Sequence, residues 1–213
     1  MPPNILNRLC RLVYPPRCPY CQRVLTCEES WCPSCRELLG GQDGVRSLPG
    51  PLLCAYSFVY KGCPRDAVLR YKFYGRKEYA HAFAVRGQES VQRHLPYASF
   101  SVVTCVPLSR ARRKERGYNQ AELYARELAK LLDAPYEELL RKDCENRIQH
   151  SLGRDERSRN VQGVYSPQGA IAGRGILLCD DIVTSGATLR ECARVLLENG
   201  AKQVCCVVIA NAN

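Results

Sequence analysis

The segment Ile176-Leu177-Leu178-Cys179-Asp180-Asp181-Ile182-Val183-Thr184-Ser185-Gly186-Ala187-Thr188-Leu189 carries the most specific chemistry in this chain of 213 residues. An apolar strand ends in two carboxylates and runs into a loop of small and hydroxylated residues that opens a helix. Small side chains let backbone N–H groups converge on a phosphate, the helix N-terminus adds partial positive charge, and the hydroxyls of Thr184, Ser185 and Thr188 add donors. Gly186 and Ala187 keep the approach open. Asp180 and Asp181 would repel phosphate, but carboxylates accept hydrogen bonds from vicinal sugar hydroxyls. Phosphate and diol together describe a ribose 5-phosphate.

A second constellation lies near the amino terminus. Cys18-Pro19-Tyr20-Cys21 and Cys32-Pro33-Ser34-Cys35 are two Cys-x-x-Cys pairs, a spacing that lets two tight turns offer four thiolates to a tetrahedral ion. Zinc suits such a set. Cys10 or Cys27 could replace one of the four ligands. With four positions filled, no site remains for catalytic water, so the expected role is structural. A segment this short and poor in aliphatics would draw much of its folding energy from the metal.

The elements that position these groups follow from pattern. A breaker-rich stretch (Gly40-Gly41, Gly44, Pro49-Gly50-Pro51) separates residues 1–45, read as an N-terminal helix and four-cysteine module, from a larger domain over residues 52–213. In the latter, strands are expected at 52–60, 102–106, 176–179 and 204–210. Helices are expected at 66–76, 78–94, 119–132 and 187–199, with a basic loop at 110–117 and the acidic loop at 180–186. Strands alternating with helices imply an α/β fold with a mostly parallel sheet. Adjacent Cys205 and Cys206 would face opposite sides of their strand.

Composition narrows the classes. No apolar run is long enough to span a bilayer, and no secretory signal is recognisable, so a cytoplasmic protein without membrane insertion is expected. The 14 cysteines then read as metal ligands or core packing rather than a disulfide framework. Thirty-one Lys and Arg against 21 Asp and Glu leave a net charge of +10, a bias toward polyanions or phosphorylated ligands. His81, His94 and His150 sit in no catalytic arrangement and read as structural.

The segment 176–189 resembles the phosphoribosyl-pyrophosphate (PRPP) motif of type I phosphoribosyltransferases. Val106-Pro107-Leu108-Ser109-Arg110, Arg116-Gly117-Tyr118-Asn119-Gln120, Leu69-x-x-Lys72-Phe73-x-Gly75 and Gln149-x-x-Leu152-x-x-x-x-Arg157-x-x-Asn160-Val161-x-Gly163 are similar to signatures of the ComF family, as are the paired cysteines. The resemblance implies a type I phosphoribosyltransferase fold with a small zinc-ribbon-like module, and PRPP with Mg²⁺ as ligands. It implies a pyrophosphate loop at Leu108, Ser109 and Arg110 with Arg116 nearby, and a mobile loop carrying Arg147, Gln149 and Arg157. Asn146-Arg147 stands where the family often has Thr-Pro.

Two functions are weighed. One is transfer of ribose 5-phosphate from PRPP to a nitrogenous acceptor, with Asp180 and Asp181 as ligands rather than general bases. The other, implied by the resemblance, is handling of single-stranded DNA in natural transformation, alongside DNA-uptake or competence proteins. Arg112, Arg113, Lys114 and Lys72 would neutralise the backbone, and the stretch Tyr71-Lys72-Phe73-Tyr74 would stack bases. A regulatory PRPP site without catalysis is a third possibility. The stripe Ile5, Leu6, Leu9, Cys10 and Val13 is expected to dock on the core.

Overall fold

A computed structural model describes residues 15–26, 29–96, 98–143 and 163–213. Cys10, Cys27, the stripe at 5–13, His150 and the loop residues Arg147, Gln149 and Arg157 lie outside them. The described chain runs β1 (Gly44–Leu48), β2 (Leu52–Val59), β3 (Val102–Cys105), β4 (Leu140–Lys142), β5 (Tyr165–Pro167), β6 (Gly175–Val183) and β7 (Gln203–Asn211). Its helices are α1 (Pro33–Leu38), α2 (Gly62–Phe73), α3 (Tyr79–His94), α4 (Arg110–Arg116), α5 (Gln120–Leu131) and α6 (Ala187–Glu198).

Five strands form one sheet in the order β1-β2-β7-β6-β3, parallel except for β1, which pairs antiparallel with β2 at the edge. β4 and β5 make a separate antiparallel pair. Parallel strands need both faces covered, and the apolar alternation supplies both. Leu177, Cys179, Cys205 and Val207 bury against α2, α3 and α5, whereas Ile176, Leu178, Cys206 and Val208 bury against α6 and the β4–β5 pair. Cys205 and Cys206 thus point to opposite faces, and burial raises both thiols' pKa.

Two departures from the sequence reading bear on the site. β1 occupies the stretch read as a linker, so the sheet begins at Gly44, before residue 52. β6 extends to Val183, pairing Asp180 with Val208 and Ile182 with Ala210, so the carboxylates belong to a strand and the loop shrinks to three residues. Ladder hydrogen bonds to β7 outweigh the low strand propensity of aspartate there.

The cysteine segment shares the core of the sheet's helix-rich face. Tyr20 packs on Trp31, Phe58 and Phe83 with ring centroids 5.3, 5.2 and 6.2 Å away. Arg70 of α2 donates to the Pro19 and Tyr20 carbonyls at 2.9 and 3.2 Å, and Gln22 bonds the Tyr79 hydroxyl. Beneath it, the Arg86 guanidinium lies 5.3 Å from the Trp31 ring and 5.5 Å from Phe58, an aromatic seat for a cation with little access to water. Its counter-ions are Glu89, on the same helix, and Asp43, whose side chain is 1% exposed and also receives Arg93 at 2.7 Å and His94 at 2.9 Å. Desolvation opposes the Asp43 carboxylate, but its hydrogen bond from His94 and the two guanidinium charges prevail, and its pKa is lowered.

A carboxyl with a lowered folded-state pKa contributes stability that is complete above its ordinary value near 4 and is lost as pH falls through the folded value. Asp43→Ala is therefore expected to cost about 3 kcal/mol in urea unfolding at pH 7, the lower end for a broken buried pair, because Arg86 loses its buried partner but keeps Glu89. The gap to wild type should narrow below about pH 4. A loss under about 1 kcal/mol at pH 7 would show the cluster to be a surface-like ion pair.

Candidate ribose-phosphate site and metal centre

β3 ends at Cys105, opposite Cys179, whereas β6 continues for four residues beyond that point. The step leaves a crevice at the carboxyl ends of the parallel strands, where open α/β sheets bind ligands. Alternation sends Asp180 and Asp181 to opposite faces there. Asp181 pairs with Lys72 of α2 at 2.9 Å, both side chains largely shielded. Asp180 accepts the Asp181 N–H at 2.8 Å; burial and then the Asp181 charge push its carboxyl up to about 7.

The loop expected to take phosphate follows directly. Asp180, Thr184, Ser185, Gly186, Ala187 and Thr188 line a hollow of about 40 Å³ at the start of α6. The Thr184 carbonyl is held by Arg46 Nη1 at 2.7 Å and by the Asn213 side-chain amide at 2.9 Å. Ser185 Oγ accepts from Ala187 N–H at 3.4 Å, turning the chain into the helix. Gly186 has φ +76°, and a Cβ there would sit 2.6 Å from Leu48 Cδ2 of β1. Arg46 and Leu48 escaped the sequence reading because their strand lies far along the chain among breakers.

The signature Arg116–Gln120 wires this site to its neighbours. Asn119 caps α5 by accepting from Ala121 N–H, and its amide donates to the Val106 carbonyl at 3.1 Å. Gln120 Nε2 donates to the Lys72 carbonyl, its own carbonyl receives the Tyr71 hydroxyl at 2.8 Å, and the Tyr118 hydroxyl donates to the Tyr71 carbonyl. These bonds fix the end of α2, and with it Lys72, against the loop after β3. Lys72, expected among nucleic-acid contacts, instead closes on Asp181. Tyr71, expected in the stacking stretch, is fully buried.

The stretch 110–117, expected as a loop, is largely helix α4. Ser109 caps it by accepting from Arg112 N–H, and Gly117 ends it in the left-handed region at φ +75°. Leu108, Ser109, Arg110 and Arg113 border a cavity of about 560 Å³ shared with Arg141 and Gln168. Arg116 does not border it: its guanidinium lies 5.0 Å from the Phe73 ring and donates to Gln120 Oε1. Arg112 and Lys114 are exposed, and Arg113 reaches Glu122 at 3.3 Å. His81 pairs with Glu127 and His94 with Asp43, both in structural settings.

The four sulfurs of Cys18, Cys21, Cys32 and Cys35 all lie within 4.8 Å of one another, with Cys21 and Cys32 at 3.5 Å. A tetrahedral ion at thiolate distance needs sulfurs about 3.8 Å apart, so the set fits a structural metal. The first pair sits on a turn in which Gln22 adopts φ +65° and Cys18 N–H bonds the Arg23 carbonyl; the second opens α1, with Cys32 at its N-cap. Desolvation works against the Cys21 thiolate, but hydrogen bonds from Arg23 N–H and neighbouring thiols bring it down to about 7.

A mostly parallel sheet with a loop of small residues opening a helix after β6 is the arrangement of a phosphoribosyltransferase fold, and the phosphoribosyl transferase domain family matches residues 116–213. Competence protein ComFC of Bacillus subtilis is 34% identical over 144 residues, 67% of this chain and 57% of that protein. DNA utilization protein YhgH of Salmonella typhi is 29% identical over 204 residues, 88% of this chain and 86% of that protein. The match to YhgH of Escherichia coli K12 spans 45% of its length, so the chain spans about half the length of the first curated relatives it matches. The solved glutamine PRPP amidotransferase of B. subtilis superposes with a TM-score of 0.45 at 21% identity, over 66% of this chain and 30% of that one. These matches support a ComF-family protein.

Gly186→Ala tests the loop's geometry. A left-handed alanine costs about 1–2 kcal/mol before any clash, so chemical denaturation should show at least that loss. In a Leu48→Ala background, which relieves the clash, the same substitution should cost less than it does in the wild type. A neutral Gly186→Ala would show that β1 does not set the loop.

Proposed function

We propose that this protein handles single-stranded DNA entering the cytoplasm during natural transformation, and that its ribose-phosphate site binds PRPP as a ligand that modulates this. The observation that carries the reading is α4. Five of its seven residues are basic, one is acidic, and none is buried. Arg110 and Lys114, and Arg112 and Arg116, stand one turn apart as like-charge pairs, which destabilise a helix. With no apolar face to bury, α4 is held by its caps and by the contacts of Arg113 with Glu122 and Arg116 with Gln120 and Phe73, and a polyanion along it would relieve the repulsion. The relatives' printed names, competence protein and DNA utilization protein, support the same reading. No helix among the described residues is long and apolar enough to cross a membrane.

PRPP suits the crevice: the hollow at Thr184–Thr188 takes the 5-phosphate and the carboxylates accept from the ribose diol. Leu108, Ser109 and Arg110 would face the diphosphate, and the family resemblance adds Arg147 or Arg157, outside the described residues, as further partners for it. Magnesium would ride on the diphosphate rather than on this chain, because Asp181 is engaged by Lys72 and Asp180 by a backbone N–H. Phosphoribosyl transfer to a nitrogenous acceptor is the alternative, and pyrophosphate release on screening acceptors would favour it.

Fluorescence anisotropy of a labelled single-stranded oligonucleotide, at several salt concentrations and with or without Mg²⁺-PRPP, tests the reading. Binding should weaken steeply with salt and change when PRPP is added. Replacing Arg112, Arg113 and Lys114 together by Ala should flatten the log–log salt slope by about 2, the share of three phosphate contacts on a single strand. Absence of binding at low salt, from folded and metal-loaded protein, would overturn direct DNA handling.

We assign zinc to the four thiols. Metal analysis should find one zinc per chain, and Cys32→Ser should lose it. Trp31, the chain's one tryptophan, is 1% exposed in this segment. Its emission should therefore shift to the red on metal loss. An unshifted spectrum would mean the aromatic packing holds the segment without the ion.

A further inference from the structure

We infer that Phe73 and Tyr74, with the Arg116 guanidinium beside them, form a stacking platform for the bases of single-stranded DNA whose backbone follows α4; this rests on the DNA-handling reading above. Phe73 is 58% exposed and Tyr74 is 73% exposed, while Tyr71, two residues earlier on α2, is completely buried. A core role is therefore excluded for the later two, which leave adjacent aromatic surface in contact with water. Arg116 lies 5.0 Å from the Phe73 ring, so the aromatic surface ends in a cation. Such pairing of planar π faces with guanidinium planes is how proteins bind single strands without reading sequence, since every base has a π face.

Charge selects the occupant. Arg116 is the last residue of α4, and the exposed Arg110, Arg112, Arg113 and Lys114 precede it over roughly 10 Å of helix, about 1.5 Å per residue. A chain that stacks at Phe73 and continues along α4 must carry regularly spaced negative charge, which describes a nucleic-acid strand and not an apolar peptide. The platform also starts one residue from Lys72, the partner of Asp181. A base stacked there would lie beside the proposed PRPP site, which gives that ligand a route to alter strand binding.

The test compares an oligothymidylate with an oligonucleotide of equal length and charge made of abasic sites, on metal-loaded full-length protein. The Phe73→Ala, Tyr74→Ala double variant should bind oligothymidylate at least tenfold more weakly, about the loss expected for one stacked base. Its affinity for the abasic strand should be unchanged. Phe73→Trp should keep wild-type affinity, and its emission should be quenched by oligothymidylate but not by the abasic strand, against the constant signal of buried Trp31. Equal losses on both strands, or no loss on either, would overturn the platform while leaving DNA handling intact. Failure of the wild type to bind either strand would overturn both readings, and the unchanged binding of abasic strand separates a lost stack from a misfolded variant.

Discussion

Much of the site's geometry hangs from one buried carboxylate. Asp43 stands just before β1 and gathers Arg86, Arg93 and His94 from a single helix, so it fixes where the edge strand enters the sheet. From that entry point β1 delivers Arg46 to the Thr184 carbonyl and Leu48 to the face of Gly186. An edge strand paired on one side only would otherwise be the least constrained part of a sheet. The Thr184–Thr188 loop thus depends on an ion cluster at the far end of β1, and that cluster depends on aromatic packing of the cysteine segment. Arg86 bears on both: its guanidinium touches Trp31 and Phe58 while bonding Asp43. A metal bound by the thiols would in this way stabilise the geometry of a ligand site to which it contributes no atom.

The parts of the molecule legible in the sequence are those whose chemistry is local. The Thr184–Thr188 loop needs small residues and hydroxyls in succession, and the thiol set needs two Cys-x-x-Cys turns; both requirements are written in consecutive residues. Helices α3, α5 and α6 fall close to their expected limits because their apolar spacing is regular. The misplaced features are those decided by distant partners. β1 reads as a linker because Gly44 and the Pro49-Gly50-Pro51 run surround it, and only its pairing with β2 makes it a strand. Asp180 and Asp181 read as loop because nothing nearby announces the β7 ladder. The capped helix α4 could have been found: Ser109 before it and Gly117 after it are the usual start and stop signals. Which of Tyr71, Phe73 and Tyr74 is buried depends on the packing of α2 and could not be read from their order.

The acidic and basic groups are arranged in opposition across a short distance. Asp180 and Asp181 lie at the carboxyl end of β6, and the strongly positive α4 follows the carboxyl end of its neighbour β3. A neutral Asp180, favoured by burial and by the charge beside it, reduces the repulsion a phosphate would meet, whereas Lys72 neutralises Asp181. A ligand diol needs carboxylate acceptors, so its arrival would draw a proton from Asp180 and compete with Lys72 for Asp181. Lys72 is held by its own carbonyl to Gln120 and lies next to Phe73 in the chain. Any ligand that takes Asp181 therefore adds one mobile positive charge to the surface proposed for DNA. The coupling requires no change of fold, only an exchange of partners at a single ion pair. By linkage, a strand that drew Lys72 to its phosphates would in turn ease diol binding at Asp181, so the two ligands should favour rather than exclude each other.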